Sequence, residues 1–144
     1  MKEKWIKVFE PLWAKFWAEI GEADVLNGPV PHLPHCGDFT QFEESKYKIA
    51  FVGIDAWGWG DNLDEYKDGS IEDYLSDCQE EMRCGDNWAN RNPVFWNFVF
   101  KVMEKLYQIP FKELKEQTTQ ESQNIINSIV WGNMASIGKS KDKL

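Results

Sequence analysis

Residues Lys48 to Asn62 read KIAFVGIDAWGWGDN, and this stretch decides how the rest of the chain is understood. An apolar run, IAFVGI, leads into an acid, Asp55, and then into Trp57 and Trp59 set between glycines. The run over Lys46 to Ile54 predicts a strand. Its lack of polar alternation suits a central parallel strand covered on both faces. In open α/β sheets, ligands bind beyond the carboxyl ends of the strands. A carboxylate at such a strand mouth, walled by aromatics, can be desolvated and poised as a base or as a counter-charge for a cation.

A second apolar run, SIVWGN, spans Ser128 to Asn133. It too reads as a buried strand, and it too ends in a glycine followed by a polar side chain, Gly132 then Asn133. Asp55 and Asn133 are therefore expected to project from neighbouring strand ends into one pocket. Gly53 and Gly132 would let a ligand approach the backbone closely.

Helical patterns lie around and between the two runs. Residues 3–20 place Trp5, Val8, Phe9, Leu12, Trp13, Phe16 and Ile20 at three- and four-residue steps, which predicts an amphipathic helix with this stripe in the core. Pro29, Pro31 and Pro34 make residues 21–45 read as a long irregular connection. Ser70 and Asp73 form a capping box before a helix whose apolar stripe is Ile71, Tyr74, Leu75, Cys78 and Met82. Its acids, Glu72, Asp73, Asp77, Glu80 and Glu81, fall on the other face. Asn92 caps a helix opening on Pro93 and running through PVFWNFVFKVMEKLY, apolar nearly all round and so the most buried. A short helix starts near Pro110, and Thr118 with Glu121 caps another that ends near Asn127. Strands separated by helices describe an α/β domain with a parallel sheet flanked by helices.

The chain has 144 residues, 42% of them hydrophobic, which is enough for one domain with a sizeable core. Its 24 acids against 16 lysines and arginines give a net charge of −8. Ten acids but only Lys67 and Arg83 lie between Asp61 and Asp86, so this segment holds the whole excess. An acidic chain is a poor non-specific binder of phosphate backbones, and an acidic 61–86 segment suits a protein partner. Three cysteines (Cys36, Cys78 and Cys84) and no apolar signal run in MKEKWIKVFE lead to the expectation of a reduced cytoplasmic protein. No apolar segment reaches membrane-spanning length.

In sequence order, GIDAWG resembles the first motif of the uracil-DNA glycosylase superfamily, in which a strand ends in Gly-Gln-Asp-Pro-Tyr-His or a relative. Gly53 and Asp55 match, while Ala56 stands for the proline, Trp57 for the tyrosine and Gly58 for the histidine. The family's later strand ends in an asparagine, and IVWGNMAS with Asn133 is similar to it. The resemblance covers roughly residues 46–137. It implies that Asp55 orients and activates water, that Trp57 walls the base pocket, and that Asn133 hydrogen-bonds the edge of uracil. Tyr66 or Trp59 would stack on an extruded base. The resemblance further implies a DNA-repair hydrolase acting on single-stranded or damaged DNA, with no metal and no cofactor.

The family's C-terminal histidine motif has no counterpart after Asn133, and both histidines, His32 and His35, precede the first strand. A two-stranded sheet is rarely stable alone. The expectation is the N-terminal half of the fold, either truncated or completed by a partner, and weak or inactive as it stands. The basic tail Lys139, Lys141 and Lys143 is a poor clamp for phosphates.

Other chemistries fit less well. GNMASIGKS has five residues between Gly132 and Gly138 where a phosphate-binding loop has four. Ala56 sits where a GDSL-type hydrolase needs serine. His32, His35 and Cys36 could bind zinc only with distant Cys78 or Cys84. Three cysteines cannot hold a four-cysteine iron–sulfur cluster. The rival class is a non-catalytic interaction protein using the acidic 61–86 segment.

Overall fold

A computed structural model describes residues 1–20, 33–53, 66, 69–83 and 93–133, with the side chains of Glu81, Arg83 and Asn133 left out. Asp55, Trp57, Gly58, Trp59, His32, Cys84, Asn92 and the tail lysines lie outside the described residues. Among the described residues the chain is mixed α/β, with six helices and a sheet of three strands. In order these are α1 (Lys2–Glu19), β1 (His35–Cys36), α2 (Phe39–Glu44), β2 (Ala50–Gly53), α3 (Ile71–Arg83), α4 (Pro93–Tyr107), α5 (Phe111–Glu116), α6 (Gln120–Asn127) and β3 (Val130–Asn133). The residues group into two units. The first comprises the described parts of Met1–Pro34, Val52–Ser76 and Gly132–Leu144, and the second comprises those of His35–Phe51 and Asp77–Trp131.

The second unit is organised by α4. Pro93 opens the helix at the position where a missing N–H costs nothing. Trp96, Val99, Phe100 and Met103 follow at three- and four-residue steps and are all buried. Around them pack Phe51, Ile109, Leu114, Ile125, Ile126 and Ile129. The helix is not buried all round, however: Val94 and Phe98 stand exposed. Gln108 adopts a left-handed φ of 59° just past the end of α4.

The helices that follow are capped by side chains. Pro110 offers no side-chain cap to α5, and Glu104 takes over the task, its Oε1 accepting from the Phe111 backbone N–H at 3.0 Å. Gln117 ends α5 in the left-handed conformation. The cap of α6 is Thr119, one residue later than the sequence suggests. Thr119 has the extended backbone a cap requires, and its hydroxyl accepts from the Ser122 N–H while Ser122 Oγ accepts from the Thr119 N–H. The box partner is therefore Ser122, which is buried, rather than the exposed Glu121.

The sheet has the order β1-β3-β2, so the two strands read from sequence are neighbours. Three features differ from the expectation. A third strand, β1, lies within the segment expected to be irregular, with His35 opposite Trp131 and Cys36 opposite Val130. It runs antiparallel to β3, so the sheet is not all-parallel. Finally, β3 rather than β2 is central. Along β2 only Phe51 is buried, and Val52 is 62% exposed, as suits an edge strand with one open face. Both strands are also shorter than their apolar runs: Ser128 closes the preceding helix, its hydroxyl donating to the Ile125 carbonyl at 2.7 Å. The joint between β1 and α2 is close. Asp38 Oδ1 caps α2 through the Thr40 and Gln41 N–H groups, and the Asp38 N–H donates to the Asn127 carbonyl.

In the first unit, α1 buries Trp5 and Trp13 and half-buries Phe9, Phe16 and Trp17. Val8 and Leu12, expected in the core, are 61% and 55% exposed. Trp5 Nε1 donates to the Pro34 carbonyl, and the Leu33 N–H donates to the Tyr74 hydroxyl at 3.1 Å, fixing Leu33–Pro34 against α1 and α3.

Along α3, all five stripe residues, Ile71, Tyr74, Leu75, Cys78 and Met82, are buried, while Glu72, Asp73, Asp77 and Glu80 are exposed. The capping box forms: Ser70 Oγ accepts from the Asp73 N–H at 3.1 Å, and Asp73 Oδ2 accepts from the Ser70 N–H at 3.0 Å. Hydrogen bonds from the Ser70 hydroxyl and then its N–H lower the Asp73 pKa. A depressed folded-state pKa stabilises above the unfolded value of about 3.9, and that contribution disappears as pH falls through the folded value. The stability difference between wild type and Asp73→Asn, measured by urea denaturation, is therefore expected to shrink as pH drops below about 4. A difference constant from pH 7 to 2 would rule out this carboxylate as the source.

Candidate functional site

The site expected from sequence rests on two strand ends, and the backbone places both. Val52–Gly53 ends β2 and Gly132–Asn133 ends β3. The strands are neighbours in the sheet, and both ends belong to the first unit. Adjacent strands are one requirement of a pocket shared by Asp55 and Asn133. Asp55 and Trp57 lie outside the described residues, and Asn133 is described in its backbone alone.

The two glycines differ in their surroundings. Gly53 is half-buried. Gly132 is buried, and a Cβ built there would lie 2.9 Å from Pro34 Cγ, 3.0 Å from its Cβ and 3.1 Å from its Cα. The close approach that Gly132 permits is thus made by the chain's own Pro34 ring, where the sequence reading put a ligand. Pro34 gave no sign of this role in the sequence beyond its place in a proline-rich segment.

Tyr66, expected to stack on a base, is half-buried and meets Tyr74 edge to face at 5.5 Å. Tyr74 in turn packs on Trp13 at 5.0 Å, and Trp13 on Trp17 at 5.7 Å. Tyr66 therefore joins an aromatic series running from α3 to α1, all within the first unit. Sequence reading placed Trp13 in the core of an amphipathic helix and did not connect it with Tyr66. The contact depends on two helices meeting, which no local pattern encodes.

Among the described residues, no group of three or more histidines, cysteines or acids is placed to hold a metal. His35 and Cys36 are fully buried in β1, with Gln79 Nε2 donating to the Cys36 carbonyl at 3.0 Å and the His35 ring 5.8 Å from that of Trp131. No described helix is long and apolar enough to cross a membrane. No family model, curated protein or solved structure matches the chain.

Proposed function

We propose that the chain recognises a nucleobase with a site resembling that of the uracil-DNA glycosylases, and that its chemistry is N-glycosidic hydrolysis. The observation that carries this reading is the pairing of β2 and β3 as neighbours whose carboxyl ends fall in one unit. The order and spacing of Gly53, Asp55, Gly132 and Asn133 support it. Asp55 would hold the attacking water and balance the positive charge that develops on the sugar as the bond to the base breaks. The water's oxygen bonds to the anomeric carbon as one of its protons passes to the Asp55 carboxylate, and the bonding pair leaves with the base, which takes up a proton from solvent. The Asn133 carboxamide offers a donor and an acceptor to a base edge bearing one N–H and one carbonyl. Trp57 and Tyr66 would wall the base, stacking being worth about 1–3 kcal/mol per base. Single-stranded or damaged DNA is the substrate that needs least energy to extrude a base.

Within the 144 residues both histidines, His32 and His35, precede Asp55, and a donor to the departing base is typically worth about 10²–10³ in rate. Uracil release from single-stranded oligonucleotides is therefore expected to be slow, measurable at high enzyme concentration, and abolished in Asp55→Asn. Release that persisted unchanged in Asp55→Asn would overturn the assignment of Asp55. The exposed acids of α3 favour a second reading, a non-catalytic protein that meets a basic protein partner through the 61–86 segment. A cytoplasmic setting is compatible with both readings.

A further inference from the structure

The two edges of the sheet are unlike. β1 is two residues long and fully buried, so its edge is closed. Among the described residues β2 has a neighbour, β3, on one side only. Exposure alternates along it: Lys48, Ala50 and Val52 are exposed, while Ile49 and Phe51 turn inward. Natural sheets protect an open edge with charge, proline or a bulge. Residues 49–54 include no charged residue and no proline.

The backbone decides which groups are left over. The Ile49 carbonyl accepts from the Val130 N–H at 3.0 Å, so the polar groups of Ile49 face β3. Successive residues of a strand turn their N–H and C=O to opposite edges. Those of Phe51 therefore also face β3, and those of Ala50 and Val52 face outward. Such a row of donors and acceptors is matched in full by another extended strand. The chain's own β2 fits it. A two-fold axis through Phe51 sets Ala50 opposite Val52 of a second copy, and Val52 opposite its Ala50. Each is a pair that exchanges both hydrogen bonds, so every outward group finds its partner.

Charge agrees with that direction. Lys46 and Lys48 lie at the start of the apolar run, and Asp55 follows it in the sequence. Antiparallel pairing sets a basic end beside an acidic one, whereas parallel pairing sets like beside like. Within the second unit, Phe98 of α4 meets Phe51 edge to face at 6.1 Å and is still 59% exposed. An exposed apolar ring thus stands beside the strand whose edge is open, where a second copy would cover it.

We infer that the protein forms a symmetric dimer through β2, the two strands antiparallel about Phe51 and the two sheets joined into one. This association is independent of the base chemistry proposed above and does not require it.

The test joins sedimentation equilibrium of the 144-residue protein with amide hydrogen exchange, read from ¹H–¹⁵N spectra at low and high protein concentration. A dimer is expected, and exchange at Ala50 and Val52 should slow about tenfold or more as it forms. Val52→Lys puts a charge into the joint once from each copy. It should raise the dissociation constant about tenfold or more while the monomer keeps its helicity and urea midpoint. Ala50→Lys, at the other exposed position, repeats the measurement should Val52→Lys not fold. A monomer at several hundred micromolar would overturn the inference. So would Ala50 and Val52 amides that exchange at one rate at every concentration, since a dimer would then be joined elsewhere or the chain would cover its own edge. A dimer undisturbed by the lysine variants would refute it as well.

Discussion

Trp96→Ala is expected to destabilise the protein by about 3–5 kcal/mol, the usual cost of truncating a large aromatic in a packed core. Trp96 is 2% exposed and contacts rings from two directions: Trp131 of β3 at 5.1 Å, and Phe95 and Phe100 of its own helix at 5.1 Å and 6.2 Å. Removing it leaves a cavity between α4 and the central strand that neighbours as large as these cannot close by small shifts. Against a total stability of about 5–15 kcal/mol for an ordinary domain, such a loss removes a large share of the total. Phe98→Ala on the same helix is the control. Its side chain is 59% exposed, and truncation should cost far less. Urea denaturation of both variants checks the contrast. Equal losses would mean that the helix is packed through a different face.

That contrast also shows what the sequence could and could not disclose about α4. Its limits, Pro93–Tyr107, follow from proline at the first position and from the polar Gln108 after an apolar run. Which side faces inward does not follow, because apolar residues surround the helix and only the neighbours decide that Val99 is buried while Val94 is exposed. In α3 the opposite holds. A single stripe with acids opposite it leaves one way to bury the helix, and all five stripe residues are buried. The α1 stripe is intermediate. Its width fits more than one inward direction, and the side that meets Tyr74 is the side of Trp13, leaving Val8 and Leu12 in solvent.

Strands were less legible than helices for a related reason. A two-residue strand such as β1 has no alternation to read, and its partners, Val130 and Trp131, are nearly a hundred residues away. Likewise the run IAFVGI cannot tell a central strand from an edge, because hydrophobicity alone does not say how many neighbours a strand has. The candidate site divides along the same line. The strands ending at Gly53 and Gly132 were legible from their apolar runs, and the two strands are neighbours in the sheet as expected. The link from Tyr66 through Tyr74 to Trp13 was not legible, since it is made by residues from separate parts of the chain.

Gly132→Ala is expected to cost about 1–3 kcal/mol, the range for forcing an extra methyl into a packed site. The new Cβ would meet three atoms of Pro34 at 2.9–3.1 Å, closer than carbon atoms approach without displacement. Pro34 has little freedom to yield. Its ring has no rotamers to escape into, its carbonyl accepts the Trp5 indole N–H, and the preceding N–H, that of Leu33, is held by the Tyr74 hydroxyl. A shift of Pro34 would therefore strain two hydrogen bonds, while a shift of β3 would disturb the central strand of the sheet. Gly69→Ala is the matched comparison, because the nearest atom to a Cβ there is the Tyr66 carbonyl oxygen at an ordinary 3.6 Å, and no left-handed backbone is involved. Thermal and urea unfolding should show a clear loss for Gly132→Ala and a small change for Gly69→Ala. If Pro34→Ala, which removes the ring atom nearest the new methyl, recovers part of the loss when combined with Gly132→Ala, the clash is localised to this pair. Simple additivity of the two substitutions would show that Gly132 is required for some other reason, and the strand end would then again be open to the ligand approach that its sequence suggests.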